Sequence, residues 1–338
     1  MENSTKPDHC IFAAGILQYL LPPVLLLEFV FGLLGNSMAL WVFCFHIKSW
    51  KPSTILLANL NVADFLLIIC LPFRTEYYLR AKHWVYDDAS CRLILFMLAM
   101  NRVGSIVFLT AVAVDRYFKV VHPHHRINFL PNRMAALKAS LLWILSVAVT
   151  VHLLTKPHLH RYEVQGNISY QCDSFVIYQN NTSGFWRDTL FIAEFSLPCC
   201  IIFYCSYQII CQLKRRQLDK QREIKKAVKF IFAVAVVFVV SFLPSVVSRI
   251  YVWILQLQTS NCATFQTIDI TFYTTVCLTY FSSALDPLVY YFSSSTFKLF
   301  FKSVLHFQKP QSAPPSDIAG RNRSTDAEAS RTPSTVYL

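Results

Sequence analysis

Long apolar runs alternate with short polar segments along this chain, and seven runs stand out, at about 19–45, 54–79, 91–117, 136–155, 187–212, 228–255 and 266–292. Crossing about 30 Å of hydrocarbon takes about 20 residues at roughly 1.5 Å each, so each run suffices for one membrane helix. A β-barrel would alternate apolar and polar positions in segments of about ten residues. The pattern predicts an all-α membrane protein, a seven-transmembrane helix bundle over 19–292. Ahead of it, 1–18 is polar and reads as an extracellular N-terminus without a cleavable signal peptide, the first span serving as the signal. Behind it, 293–306 sets Phe297, Leu299, Phe300, Phe301, Val304 and Leu305 among Lys298 and Lys302, which suits a short amphipathic helix on the inner leaflet. Residues 307–338, rich in Pro, Ser, Thr and charge, read as a disordered cytoplasmic tail.

Composition agrees: 54% of the 338 residues are apolar and only 15% charged, where soluble domains carry about 25% charge. The net charge of +12 is not spread evenly. Lys48, Lys51, Lys119, Arg126, Arg133, Lys138 and a dense block over 214–229 follow the first, third and fifth spans. Basic loops stay in the cytoplasm, so the N-terminus lies outside and the chain is a multi-pass protein of the cell membrane. Basic residues confined in this way argue for the lipid bilayer and against nucleic acid as a partner. Four Asn-X-Ser/Thr sequons, at Asn3, Asn167, Asn180 and Asn181, all fall on the outer side as candidate glycosylation sites.

Eleven cysteines divide by depth. Cys44, Cys70, Cys199, Cys200, Cys205, Cys211 and Cys277 lie within spans and read as small buried residues. Cys10, Cys91, Cys172 and Cys262 lie on the oxidising side, where four cysteines permit three pairings. No His-Glu-x-x-His or Gly-x-Ser-x-Gly string occurs, so the chain is not read as an enzyme. A monocarboxylate transporter would show inverted repeats with matched broken spans, and these are absent from the pattern.

Charges inside the spans are costly and mark function by default: Glu28, Asp64, Arg102, Glu194, Arg249 and Asp286. Arg102 lies eleven residues past Cys91, about 16 Å down a helix. A guanidinium there needs a partner. Either Glu194 supplies an ion pair, or an anionic ligand is held by the two-pronged fork that matches a carboxylate. Arg74 and Arg249 add cations at the outer half, and three together favour an acid.

Span three ends in Asp115-Arg116-Tyr117 and span seven in Asp286-Pro287-Leu288-Val289-Tyr290. Gly35-Asn36 lies in span one, Asn59 to Asp64 in span two, Trp143 in span four, Pro198 in span five and Phe242-Leu243-Pro244 in span six. In this order the motifs resemble the rhodopsin-like G-protein-coupled receptors across the whole bundle. The strings Leu71-Pro72-Phe73-Arg74-Thr75-Glu76-Tyr77-Tyr78, Met100-Asn101-Arg102-Val103-Gly104-Ser105 and Val120-Val121-His122-Pro123-His124-His125 narrow it to the hydroxycarboxylic acid receptors. Within them, Arg74 and Tyr77-Tyr78 look more like the lactate-responsive member than the one for nicotinate and 3-hydroxybutyrate. Receptors for oxo-fatty acids (the oxoeicosanoid type) share much of the pattern and are the rival reading.

The resemblance implies a ligand set and a switch. Arg102 becomes the carboxylate anchor, with Arg74, Arg249, Tyr280, Phe272, Ser174 and Phe175 around it. Leu98 stands where amine receptors carry an aspartate, so the ligand is a small monocarboxylate, lactate first. Cys91 pairs with Cys172, leaving Cys10 and Cys262 to each other. Asp115 holds Arg116 at rest, and Tyr117, Phe242, Pro244, Asp286, Pro287 and Tyr290 complete the G-protein switch. Two positions depart from the family: Phe242 stands in place of a tryptophan and Ser206 in place of a tyrosine, with Tyr207 adjacent. Asp64, Asn101, Ser105, Ser282 and Asp286 occupy the positions of an allosteric sodium site. Partners implied are the inhibitory G protein, with lowered cyclic AMP, and arrestin once the tail is phosphorylated.

Overall fold

The computed structural model describes residues 15–164, 167–173, 182–215, 221–258, 262–293 and 295–305. Seven long helices run through it: α1 (Leu17–Trp41), α2 (Pro52–Leu79), α3 (Asp88–Val121), α4 (Asn132–Thr150), α5 (Thr182–Arg215), α6 (Gln221–Gln258) and α7 (Cys262–Ser293). A shorter α8 (Ser295–Leu305) follows. Between α4 and α5 an antiparallel hairpin, β1 (Leu159–Val164) and β2 (Asn167–Cys172), pairs Leu159 with Cys172 and Val164 with Asn167.

Helices α2, α3, α5, α6 and α7 outrun their apolar segments because the apolar run marks membrane depth, whereas caps mark helix ends. Pro52 starts α2, where its missing N–H costs nothing. Asp87 caps α3 by accepting the Ser90 amide at 3.0 Å. Helix α2 closes through Ala81 and Lys82, both in the left-handed region at φ 56° and 65°, and the Lys82 amide returns to the Tyr77 carbonyl at 2.9 Å. Neither residue is glycine, so the turn carries strain of about 1–3 kcal/mol per residue that contacts of Lys82, described below, offset.

Six of the helices, α1 to α6, are long and apolar enough to cross a membrane. The seventh expected span differs in kind: α7 is diluted by Thr, Ser, Asp269 and Asp286. It takes its place by packing between α6 and α1. At its inner end the approach to α1 is so close that a Cβ on Gly35 would stand 2.6 Å from the Pro287 ring, which is why position 35 has none. Side chains such as Leu26, Phe31, Ile144, Leu197, Phe203 and Phe232 face outward exposed, as lipid-facing residues should. Cys44 and Cys200 share that exposure and Cys199 and Cys211 are half-buried, so the reading of all seven span cysteines as buried holds for Cys70, Cys205 and Cys277 and is corrected for the other four.

Side-chain bonds tie the bundle across its width. Trp143 of α4 donates to Asn59 of α2 at 2.8 Å. Asn36 of α1 donates to the Ser283 carbonyl of α7 at 2.8 Å and accepts from Asn61 of α2 at 2.9 Å. On the amphipathic α8, Phe297 is buried against Phe43 (5.0 Å between ring centres) and Tyr290, while Leu299 is exposed.

Candidate ligand-binding site

The outer end is closed by the hairpin. Cys172, at the end of β2, is joined by a disulfide to Cys91 in the first turn of α3. Arg74 of α2 donates to the Cys172 carbonyl at 3.1 Å and to the Tyr78 hydroxyl at 3.0 Å, its guanidinium lying over the Tyr77 and Tyr78 rings. The next residue, Asp173, accepts from Tyr77 at 3.2 Å and pairs with Lys82 at 3.2 Å, and the Lys82 ammonium sits 4.6 Å from the Tyr273 ring centre. Burial would raise the Asp173 carboxyl, but Lys82 and then Arg74 beside it hold it below the usual carboxylate range. Arg74 thus helps pin the lid with two of its N–H groups, while its Nε is buried without a hydrogen-bond partner among the described residues.

Beneath the lid, two arginines meet two acids of α5 through a row of aromatic rings. The Arg102 guanidinium lies 3.5 Å from the Phe191 ring centre, Phe191 is 6.3 Å from Phe272, and Arg249 lies 5.2 Å from Phe272. Arg249 donates to Asp188 Oδ1 from Nε at 3.0 Å and again from Nη2. It is 1% exposed, so in this structure the arginine is paired to α5. Arg102 differs. Only Nη1 reaches Glu194, at 3.3 Å, and its Nε and Nη2 are buried with no hydrogen-bond partner among the described residues. Both open readings of Arg102 therefore meet: the ion pair exists, and an N–H pair of the fork remains. The Tyr280 hydroxyl lies within electrostatic reach of Arg102 and Arg74. Ser174, Phe175, Cys10, Asn3, Asn180 and Asn181 lie outside the described residues; so do the side chains of Cys262 and Asn167.

Sequence reasoning missed Asp188 and Phe191. Their signal is the spacing Asp188, Phe191, Phe195 at one helical face, two of its residues aromatic and one acidic within a lipid-spanning run.

Buried between α2 and α7, Asp64 accepts from Ser283 at 2.7 Å and from Tyr290 at 3.0 Å, and both oxygens of Asp286 are buried without a hydrogen-bond partner among the described residues. Asn101 donates to Ser283 at 3.2 Å. Ser282 turns back to the Thr279 carbonyl at 2.8 Å, so the serine at this centre is Ser283, one residue on from the expected one. Asn101 Oδ1, Asn61 Oδ1 and Ser105 Oγ are buried without hydrogen-bond partners among the described residues. Two carboxyls with neutral oxygens around them fit a hard monovalent cation. The same residues hold no group of three or more His, Cys, Asp or Glu placed for a metal ion.

At the inner face the expected Asp115–Arg116 lock is not the arrangement found. Asp115 accepts from Ser53 of α2 at 2.8 Å and pairs with Lys119 at 2.9 Å, one helical turn along. Arg116 instead lies 4.6 Å from the Phe230 ring centre of α6. Lys119 satisfies the carboxylate from the i+4 position, the natural neighbour on a helix. Phe242 is fully buried and packs on Phe238, which stacks on Phe195 of α5. Ser206 bonds its own helix at Ile202 and Tyr207 is exposed, so Tyr204 is the α5 ring that meets Tyr117, at 5.9 Å.

Residues 35–290 match the family described as 7 transmembrane receptor (rhodopsin family). The chain is 49% identical over 332 residues to hydroxycarboxylic acid receptor 3 of Homo sapiens, covering 97% of this chain and 83% of the relative. It belongs to the hydroxycarboxylic acid receptors. Identity to hydroxycarboxylic acid receptor 1 of Homo sapiens is 48%, over 87% of this chain and 83% of that one. Against oxoeicosanoid receptor 1 of Homo sapiens it falls to 35%, over 90% and 77%. The chain is therefore a multi-pass plasma-membrane receptor, with a small-molecule ligand and a G protein as partners, and not an enzyme. Overall identity does not separate receptors 1 and 3, and the choice of acid rests on the site.

Proposed function

We propose that this receptor binds a small monocarboxylate, a 2- or 3-hydroxy acid with lactate first and 3-hydroxybutyrate or nicotinate next, and signals through the inhibitory G protein to lower cyclic AMP. One observation carries the reading: the buried Nε and Nη2 of Arg102, side by side and without a hydrogen-bond partner among the described residues. An N–H pair of this geometry is what a carboxylate takes up. Phe191 holds the guanidinium flat from one side, and Glu194, at a long 3.3 Å, positions it without filling it. Arrestin then engages the tail after phosphorylation of its Ser and Thr residues.

The test is inhibition of forskolin-raised cyclic AMP by lactate, 3-hydroxybutyrate, nicotinate and an oxo-fatty acid, with and without pertussis toxin. Arg102→Ala should weaken potency by about 100-fold or more with surface expression kept, and Arg102→Lys should do little better, since an ammonium cannot form the fork. Potency retained in Arg102→Ala sinks the anchor, and a response that survives the toxin sinks the choice of G protein. Strongest response to the oxo-fatty acid would favour the rival reading.

Sodium at Asp64, supported by the orphan oxygens around it, is the second element of the proposal. A cation preferring the resting state weakens agonist binding, typically at least about fivefold. Agonist affinity that ignores sodium in wild type and Asp64→Asn alike would remove the ion from the account.

A further inference from the structure

Residues 80–87 form a strap from α2 to α3 that also holds the hairpin, and one of its ties can titrate. Tyr170 of β2 turns both its backbone groups to the strap. Its carbonyl accepts the Trp84 amide at 2.8 Å, and its own N–H donates to the imidazole Nδ1 of His83 at 3.4 Å. Ser169 Oγ lies 3.2 Å from the same nitrogen. A peptide N–H can only donate, so Nδ1 carries a lone pair and the hydrogen of the neutral ring sits on Nε2. A side chain thus stands where a third strand would offer a carbonyl to the β2 edge.

His83 is half-buried. It shares an open cup of about 470 Å³ with Trp84, Val85, Tyr86, Leu159, Ile168 and Tyr170. None of those six carries a charge at neutral pH, and Val85, Tyr86, Ile168 and Tyr170 are exposed, so water and protons reach the ring. Charged groups of the surrounding elements are already matched. From α2 and the strap, Arg80 pairs with Glu76, which also accepts from Tyr86, and Lys82 pairs with Asp173. At the start of α3, Asp87 accepts from Ser90 and Asp88 pairs with Arg92. Across β2, the β1 residues His160, Arg161, Tyr162 and Glu163 stand opposite Gln171, Tyr170, Ser169 and Ile168. Arg161 is exposed, and the side chains of Tyr162 and Glu163 lie outside the described residues.

We infer that His83 is a proton-sensitive latch of the lid. A histidine changes charge between about pH 5 and 8. On protonation Nδ1 becomes a donor. The Ser169 hydroxyl can turn and accept from it, whereas the Tyr170 amide is left facing another N–H. One of the two ties to the β2 edge is then lost. The loss falls two residues before Cys172 and three before Asp173, where Arg74 and Lys82 hold the lid. The sign follows from linkage: the fastened strand needs the neutral ring, so proton uptake favours the loosened one. The lid is fastened above about pH 7 and loosened below about pH 6. Its effect on signalling rests on the acid-receptor reading above: an agonist under the lid is held less firmly as the medium turns acid.

The experiment is hydrogen exchange over β2 in the purified full-length receptor at about pH 7.5 and about pH 6, corrected for the intrinsic dependence of exchange on pH. Dose–response curves for lactate and 3-hydroxybutyrate are taken at the same two values. In wild type, protection around Tyr170 should fall about threefold to tenfold in acid, the effect of one hydrogen bond, and agonist potency should fall in step. His83→Asn places an amide oxygen near the Nδ1 position and cannot take up the proton, so it should stay protected at both values and lose no potency in acid. His83→Leu offers no acceptor and should be loosened at both. Wild-type protection that acid leaves unchanged, or the same acid response in His83→Asn, overturns the latch. Exchange that responds while potency does not overturns the step from lid to ligand. A wild type silent to both acids, with exchange still following pH, overturns the acid-receptor reading and leaves the latch standing.

Discussion

Arg102 and Arg249 sit at the two ends of one aromatic row, each facing an acid of the same helix, yet they are placed for opposite tasks. Arg249 gives two N–H groups to Asp188 and is sealed from solvent; Arg102 gives one, at 3.3 Å, and keeps two. The difference shows that counting cations in a membrane span says little about which of them meets a ligand. What decides is how completely the protein has already answered each charge.

Breaking the Arg249 pair should give the largest effect. Removing one partner of a buried ion pair strands the other charge, at a cost of about 3–5 kcal/mol, so Arg249→Ala should nearly abolish surface expression whatever ligand is present. Asp188→Leu combined with Arg249→Met should restore much of it, since an apolar pair of similar volume is often neutral. Cell-surface labelling reads both. Normal expression of Arg249→Ala with loss of ligand response alone would reverse the roles assigned to the two arginines.

A smaller effect, of opposite sign, is expected at the other end of the row. Glu194 competes with an incoming carboxylate for Arg102, so Glu194→Gln should raise agonist potency, by roughly tenfold if about 1.4 kcal/mol of competition is relieved. A dose–response curve moved toward higher concentration would show that Glu194 acts mainly by holding Arg102 in place.

The smallest effect belongs to the lid. Because Lys82 and Arg74 depress the Asp173 carboxyl below its unfolded range, the folded state gains stability above the unfolded carboxylate's pKa, about 3.9. That stability is lost as pH falls through the lower folded value. Acid unfolding of the purified receptor should therefore be steeper in wild type than in Asp173→Asn below about pH 4. Identical acid profiles would remove the Lys82–Asp173 pair from the account of lid stability.

The bundle was legible because apolar runs report directly on membrane depth and basic loops on orientation. Pairings were not. Ser282 and Ser283 differ by one residue, about 100° around a helix, and only packing chooses which faces Asp64. Whether Asp115 holds Arg116 depends on two competitors, Lys119 one turn away and Ser53 on another helix, and the second is invisible in a local motif. Asp188 and Arg249 are 61 positions apart; nothing in the spacing joins them.

The contact of Gly35 with Pro287 makes a fulcrum. With no side chain between the two helices, α7 can tilt there but has no room to slide inward. Tyr280 stands seven residues outside that point and Tyr290 three inside, arms of about 10 and 4.5 Å. A rigid tilt that draws the phenol end one way carries the Tyr290 end the other way, by about half as much, beside the oxygens of Asp64 that Tyr290 bonds. A push under the lid would reach the centre of the bundle through this contact as a reversed and shortened stroke.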